Sequence, residues 1–279
     1  MSDASYHDET ETLSCSQFKI YCESPVEYYE TFVTKRMKKR EATNAMKLGT
    51  IEHALCLEKK AIDDICRAYP TTCLKANGHL NPKPARAFAE KIWPLIAATD
   101  QQIEQALMIQ ENVMKSELGD ILRLDAQFEK RVESVVNGVP VRCKPDIHSV
   151  IGESGTIWDL KCTARIRPDD WWRTASQLKY FLQDAWYTLG AQAKYDVPFQ
   201  FRFWAIENKF PYRVAPYWYD DRSREIAQEY VRNKLDEFKQ RQATGDWSDN
   251  WENSGSVTPW QLGANDDGEI VAYEGDSSE

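Results

Sequence analysis

Four Asp/Glu-x-Lys tripeptides stand in the chain: Glu58–Lys60, Asp159–Lys161, Glu207–Lys209 and Glu237–Lys239. Spacing alone does not separate them, but context does. Only Asp159 lies on a segment whose hairpin partner carries a second acid, Asp146 of Pro145-Asp146. A chain reversal near Glu153 pairs residues whose numbers sum to about 306, which sets Asp146 opposite roughly Leu160. Asp146 then lies beside both Asp159 and Lys161 across the ladder. Period-two alternation puts Asp159 and Lys161 on one face and Leu160 on the other. Two carboxylates that meet across neighbouring strands repel unless a cation lies between them. Hard oxygen ligands in that arrangement suit Mg2+, with Mn2+ as a substitute, and the Leu160 carbonyl offers a further oxygen. An ammonium beside such a site orients a water and stabilises charge growing on a phosphate. On these residues alone a second reading stands beside the first: Asp146 caps a turn, and Asp159–Lys161 is a surface ion pair.

The elements that must position these groups follow from periodicity. Ser14 or Ser16 is placed to cap a short helix through Tyr21 that ends at Ser24-Pro25, with a second helical stretch from Val26 to Thr34. Thr43 to Glu58 carries Ala45, Leu48, Ile51 and Leu55 on one helical stripe. Residues 70–84 read as a loop, and Arg86–Ala98 and Gln101–Leu118 as helices. The period then changes to two. Ala126–Val136, the Asn137-Gly138 turn, Val139–Val150 and Thr156–Cys162 predict a three-stranded antiparallel meander. Pro168 opens a long helix over Asp169–Lys194 with acids at its positive end. Phe199–Glu207 and Arg213–Tyr219 read as strands, and Arg222–Thr244 as an amphipathic helix.

Composition bounds the setting. At 279 residues the chain can bury a sizeable core. The net charge of −9 argues against a polyanionic partner until its distribution is counted. Nine of the 44 acids and none of the 35 bases fall in Gly245–Glu279, so the remainder is neutral and can carry a basic channel. Lys35–Arg40 holds five bases in six residues, either a solvated face or a phosphate contact. The seven cysteines form no CxxC pair, which argues for reduced, mostly buried thiols and against zinc. No apolar run is long enough to span a membrane, and the acidic start has no basic or apolar leader, so a cytoplasmic location is expected.

Two further segments complete the pattern. Gln183 and Tyr187, four apart, share a helix face. His53 follows a small Gly-Thr pair on the Thr43–Glu58 helix; taken singly, such a histidine is more often a packed or surface residue. In order, the chain reads Leu13-Ser-Cys-Ser-Gln17, Leu48-Gly-Thr-Ile-Glu-His-Ala-Leu55, Cys143-Lys-Pro-Asp146, Trp158-Asp-Leu-Lys161, Gln183-Asp-Ala-Trp-Tyr187 and a late Thr258-Pro-Trp260. This set resembles the RecB-type branch of PD-(D/E)xK nucleases, most closely the RecE group, exodeoxyribonuclease VIII and its phage relatives.

The resemblance implies an α/β fold: a restriction-endonuclease-like core, a mixed sheet with an antiparallel catalytic hairpin flanked by helices, and an N-terminal helical region. Residues 1–12 would be a flexible N-terminus and 13–262 a single nuclease domain. Within it, 13–118 would be mainly helical and contribute His53, and 126–244 would form the catalytic core; 263–279 would be an acidic, mobile tail. His53, Asp146, Asp159 and the Leu160 carbonyl would hold the metal, with Lys161 the catalytic lysine. Gln183 and Tyr187 would position the DNA strand, and Glu129 is a lesser candidate for the metal or the DNA end. Arg165, Arg167 and Arg173, just past the catalytic strand, are candidates for phosphate contacts. His148, Trp171, Trp172 and Trp186 suit packing better than metal or base contacts. The implied activity is a Mg2+-dependent exodeoxyribonuclease, a hydrolase that degrades one strand of duplex DNA 5′ to 3′. It would release 5′-phosphorylated products and leave a 3′ overhang for an annealing protein in recombination. A homo-oligomeric ring, a tetramer above all, is implied too. Where the family places two threonines after the lysine, this chain has Cys162-Thr163. No cysteine lies beyond 162, so the iron–sulfur cluster of some RecB-type relatives is not expected. Rival readings are a RecB-type nuclease for single strands or flaps, and a catalytically silent DNA-end-binding or recruitment module.

Overall fold

The computed structural model describes residues 11–38 and 44–249. Lys39 and Arg40 of the basic run, the Thr258-Pro-Trp260 motif and the 263–279 segment lie outside the described residues.

The chain enters on strand β1 (Leu13–Ser14) and turns at once into helix α1 (Cys15–Glu23). A capping box makes that turn: the Gln17 N–H donates to Ser14 Oγ (3.3 Å), and the Ser14 N–H donates to Gln17 Oε1 (2.9 Å). Ser24 stops α1 and caps α2 (Pro25–Tyr28), which loosens into a π-turn over Tyr29–Val33. Thr12, next to the strand, accepts a hydrogen bond from the buried Arg142 (3.0 Å). Helices α3 (Asn44–Cys56) and α4 (Ile62–Ile65) lead to strand β2 (Cys66–Ala68). Helix α5 (Pro82–Ile92), strand β3 (Ile96–Ala98) and helices α6 (Asp100–Lys115) and α7 (Glu117–Ile121) follow.

The C-terminal half begins with β4 (Gln127–Phe128), β5 (Val132–Val136), β6 (Val139–Cys143), β7 (Ile147–Ile151) and β8 (Ser154–Thr163). It continues through α8 (Pro168–Gln177), α9 (Tyr180–Tyr195), β9 (Phe199–Glu207), β10 (Val214–Tyr217) and α10 (Asp221–Thr244). A mixed five-stranded sheet runs β10-β9-β8-β7-β4, with β8 and β9 parallel and the other pairs antiparallel. One face is covered by α8 and α9 through Trp171, Tyr180, Phe201 and Phe203. The other is covered by α6 and α7 through Ile109, Val113, Leu118 and Leu122, packed on Ile147, Leu160 and Trp204. Each side chain so buried contributes about 1.5–3 kcal/mol by leaving water. Helix α9 is buried nearly all round, because a second sheet, β1-β6-β5, packs with α1 and α10 on its far side. The result is the expected α/β architecture, with a mixed sheet flanked by helices.

Three expectations are corrected. The segment from 126 to 162 is not one meander. The chain changes sheets at Glu129–Arg131 and again at Lys144–Asp146, so β5 and β6 pair with each other in one sheet while β4, β7 and β8 belong to the other. Pro145 has no N–H for a ladder, and Glu129 adopts a left-handed φ of 48°, which turns the chain out of the strand. The helix expected over Asp169–Lys194 breaks at Lys179 (φ 51°), which lets Trp171 and Tyr180 both pack on the sheet, ring centroids 5.6 Å apart. Lys19 Nζ donates to the Leu178 carbonyl at that break (2.9 Å). Finally, Trp93-Pro94 ends the helix expected over Arg86–Ala98 early, and Ile96–Ala98 pairs in parallel with Cys66–Ala68. The Asn137-Gly138 turn is as expected, with both residues at positive φ (49° and 77°).

Gly155 on β8 pairs with Phe199, and its N–H donates to the Pro198 carbonyl (2.8 Å). A Cβ there would stand 2.3 Å from the buried Phe199 ring. Gly155→Ala is therefore expected to destabilise the fold by about 1–3 kcal/mol, read as a lower urea midpoint at unchanged slope. A double-mutant cycle with Phe199→Leu should recover part of the loss; strictly additive effects would show that the ring is not the obstacle.

Candidate active site

Strand β7 begins at Ile147, opposite Trp158. The observed register sums to 305, one less than expected, and its continuation sets Asp146 against Asp159 itself. The Asp146 backbone has already left the ladder, but its side chain replaces it: Oδ2 accepts the Leu160 N–H at 2.7 Å. The edge of β8 is thus held open just where Asp159, Leu160 and Lys161 stand.

Helix α3 approaches that edge. His53 Nε2 lies 3.6 Å from Asp146 Oδ2 and 3.4 Å from the Leu160 carbonyl, and its Nδ1 lies 3.4 Å from Glu129 Oε1. Glu129 is fixed at its sheet-switching turn, where its N–H donates to the Asp146 carbonyl (3.0 Å) and its carboxylate pairs with Lys144 Nζ (2.6 Å). His53, Glu129 and Asp146 present ligand atoms all within 4.8 Å of one another. On the other side of the sheet edge, the buried Asp159 receives Gln183 Nε2 on Oδ1 (2.6 Å) and pairs through Oδ2 with Lys161 Nζ. The Lys161 ammonium also lies 5.3 Å from the centre of the Tyr180 ring.

Charge explains the protonation states. Burial pulls His53 down, yet Asp146, and Glu129 by hydrogen bond and charge, hold it up at about 9. Burial raises Asp146, with Asp159 and Glu129 adding to the rise against the pull of His53 and Lys161. Burial alone would lower Lys161, but Asp159 and Asp146 keep it protonated well above the ordinary lysine range. Glu129 is held below the usual carboxylate range, since His53 and Lys144 outweigh its burial. Clustered acids with one imidazole and a free-standing backbone carbonyl form a hard-ligand set that fits a divalent cation such as Mg2+ or Mn2+. His53, Glu129 and Asp146, with Asp159 and the Leu160 carbonyl beside them, would hold it.

Several expected residues stand elsewhere. Tyr187 sets its ring edge-on against Phe201 (5.9 Å), one turn along α9 from Gln183. Arg165 is exposed, 3.9 Å from Asp170, and Arg167 and Arg173 are exposed beyond the strand end. His148 is buried against the Tyr195 hydroxyl (2.9 Å), and burial lowers it to about 4, so it packs rather than ligates. Trp171 and Trp186 are core residues, Trp186 donating to the Arg142 carbonyl (3.0 Å), whereas Trp172 is part exposed beside Tyr217 and Tyr219. The other three tripeptides are ion pairs of other kinds: Glu58 with Lys60, Glu207 with Arg213, and Glu237 with Lys234 and Arg241. Sequence reasoning missed Lys144 and Tyr180, and Glu129, the lesser candidate, stands with His53 and Asp146. Their one visible signal was adjacency, Lys144 to Pro145-Asp146 and Tyr180 to Gln183 on the same helix. Cys162, opposite in sense to Lys161 on β8, donates to the buried Glu52 (3.2 Å) and so ties α3 to β8 behind His53.

Comparison with known proteins fits this geometry. A family model described as a PDDEXK-like domain of unknown function (DUF3799) matches residues 14–257. The fold is similar to the crystal structure of a protein from Eubacterium rectale named "Putative exonuclease", with 14% identity, 89% of each chain covered and a TM-score of 0.59. A second solved structure, of SSO0001, aligns at 11% identity over 88% of this chain and 89% of its own, but its TM-score of 0.28 gives it no weight. No curated protein matches the sequence.

A raised histidine stabilises through its protonated form, fully below its ordinary value near 6.5 and decreasingly as pH rises through about 9. Metal binding needs the neutral ring, so affinity for Mn2+ should strengthen across that window. Titration calorimetry at pH 7 in buffers of different ionisation enthalpy should report proton release that His53→Gln reduces, the remainder coming from Asp146. Proton release unchanged by the substitution would exclude His53 as a ligand.

Proposed function

Since this chain belongs to the family of PDDEXK-like domains of unknown function DUF3799, we propose that it is a metal-dependent nuclease that hydrolyses DNA phosphodiester bonds. One observation carries the reading: the open edge of β8, where Asp146 caps the Leu160 N–H (2.7 Å) while Asp159 and Lys161 flank it. A surface ion pair has no need of three further charged groups, His53, Glu129 and Lys144, gathered on the same edge.

The roles follow from the geometry. When bound, a divalent cation supplies Lewis-acid stabilisation of phosphate charge and acidifies water. Lys161 stays protonated, so it serves as a hydrogen-bond donor and fixed positive charge toward an incoming water or a phosphate oxygen, not as a base. Gln183 fixes one Asp159 oxygen and leaves the other to Lys161, so the lysine is held in place before substrate arrives. Glu129 and His53 orient each other, and the Glu52–Cys162 bond holds the helix that carries His53. Arg165 and Arg167 follow β8 directly, where a phosphate backbone leaving Lys161 would pass.

The motif order supports the finer reading, that of a RecE-like exonuclease. It would act 5′ to 3′ on duplex ends, use Mg2+, release 5′-phosphorylated products and leave a 3′ overhang for a single-strand annealing protein. Assembly into a tetrameric ring belongs to the same proposal, and Gln183 and Tyr187 would there position the strand near the scissile phosphate. The chain shows no helix long and apolar enough to cross a membrane among the described residues.

Duplexes labelled separately at each 5′ and 3′ end, incubated with Mg2+ and with chelator, test this. Early loss of the 5′ label with long intact complementary strands is expected with Mg2+ alone. Loss of both strands would favour a single-strand or flap nuclease instead. Lys161→Ala should slow cleavage by about 10²–10³-fold while DNA binding persists. If wild type and variant both leave DNA intact yet bind it equally, the protein is a DNA-binding module.

A further inference from the structure

The β9–β10 connection is built differently from an ordinary surface loop. Its start is pinned to the catalytic strand, the Asn208 N–H donating to the Thr163 carbonyl at 2.8 Å. Its base is closed by the buried Glu207, which takes Arg213 through both oxygens (2.8 and 2.9 Å). Its side is bolted to α6: Gln105 donates to the Asn208 carbonyl, and Asn112 Nδ2 donates to the Pro211 carbonyl (3.2 Å). Tyr212 sits at a left-handed φ of 57° with its N–H on the Lys209 carbonyl (2.7 Å). From this fixed frame Phe210 projects 82% exposed, the most exposed large hydrophobic side chain among the described residues. Its ring stands edge to face with Tyr212, 6.2 Å between centres.

A rigid loop that holds a phenyl ring in water forgoes the burial energy that ring could supply. The position of the ring says what would cover it. Thr163 is two residues beyond Lys161, so the loop begins about 7 Å along the strand from the candidate lysine. Arg165 and Arg167 leave β8 at the same end, and Lys209 stands next to Phe210. Beside the ring, between the loop and α6, lies an open cavity of ≈ 410 Å³ lined by Phe210, Tyr212, Gln105, Asn208, Met108, and the oppositely charged Glu104 and Lys209. That is the size of a small-ligand site. Amides, a thioether and aromatic rings suit a flat, neutral heteroaromatic group with hydrogen-bonding edges. Glu104 and Lys209 leave the cavity neutral overall, whereas Arg165 and Arg167 past the end of β8 attract a phosphate. A nucleotide satisfies both demands at once, with its base in the cavity and its phosphate on the basic side.

We infer that the 208–212 loop is a nucleobase-stacking subsite, with Phe210 its platform, that receives an unpaired base of the DNA strand lying in the candidate active site. The inference rests on the nuclease reading above. Stacking on an aromatic side chain is tolerant of sequence because every base offers a π-face, so the subsite would favour unpaired over paired nucleotides without choosing among bases.

The test uses the full chain in Ca2+ or chelator, with oligonucleotides that carry 2-aminopurine at successive positions from the 5′ end. Wild-type protein should quench the fluorescence at one or two adjacent positions. Phe210→Ala should abolish that quench and weaken single-strand binding on the order of tenfold, with little effect on a blunt duplex. Phe210→Trp should keep both the quench and the affinity. Because the ring is exposed, thermal unfolding of the variants should match wild type. Unchanged quench and affinity in Phe210→Ala, alongside normal Mg2+-dependent cleavage by wild type, would overturn the subsite and leave the nuclease reading intact. Unchanged DNA binding with a shift to a smaller assembly in sedimentation would make Phe210 a self-association contact and likewise overturn it. Wild-type protein that neither cleaves nor binds DNA would overturn both.

Discussion

One hydrogen bond organises the candidate site: the Asp146 carboxylate on the Leu160 N–H. An unpaired N–H at a buried strand edge costs about 1–3 kcal/mol, so β7 cannot leave β8 without a substitute acceptor. The substitute here is a side chain, not another strand. It satisfies the ladder and at the same time puts a charge where the sheet has opened. The Leu160 carbonyl, pointing to the same side, becomes available to His53. Removing that carboxylate would therefore damage the sheet as well as the chemistry, and the two effects have one cause.

Around this bond the molecule arranges buried charges that offset one another. Helix α9 carries Gln183 toward Asp159 and, at the next residue, Asp184 toward Arg224 of α10 (2.9 Å). Burial pushes Asp184 up to about 6, against the pull of Arg224, so the pair is costly to bury and more costly to break. Its stronger consequence is geometric: a helix fixed by charge on one side and by Asp159 on the other has little freedom to rotate. The candidate lysine depends on that, because its partner carboxylate is oriented by Gln183.

Much of this was legible in the residues. Period-two alternation and a plausible turn set Asp146 beside Asp159 to within one register step, and Phe199–Glu207 was read to the residue. Asn137-Gly138 demands positive φ, and so names its own turn. What stayed hidden was non-local. Alternation says that Ala126–Val150 is extended but not which sheet each half joins, and the two switches at Glu129 and Pro145 are where the site forms. Glu129 belongs to no spaced motif; only the left-handed turn that aims it gives it a role. The break at Lys179 was invisible because every residue nearby is acceptable in a helix, and the packing of Trp171 and Tyr180 on the sheet decides the matter. The exposed Phe210 gave no periodic signal at all.

The double change of sheets has a mechanical consequence. A hairpin attached to one sheet can fray from its tip while the rest of the domain stays folded. Here the candidate ligands Glu129 and Asp146 sit on the two threads that stitch one sheet to the other, and a backbone bond joins them across the seam. Neither thread can slacken without shearing both sheets past α9. The candidate site therefore belongs to the cooperative unit that opens last, and its geometry should persist for as long as the fold does.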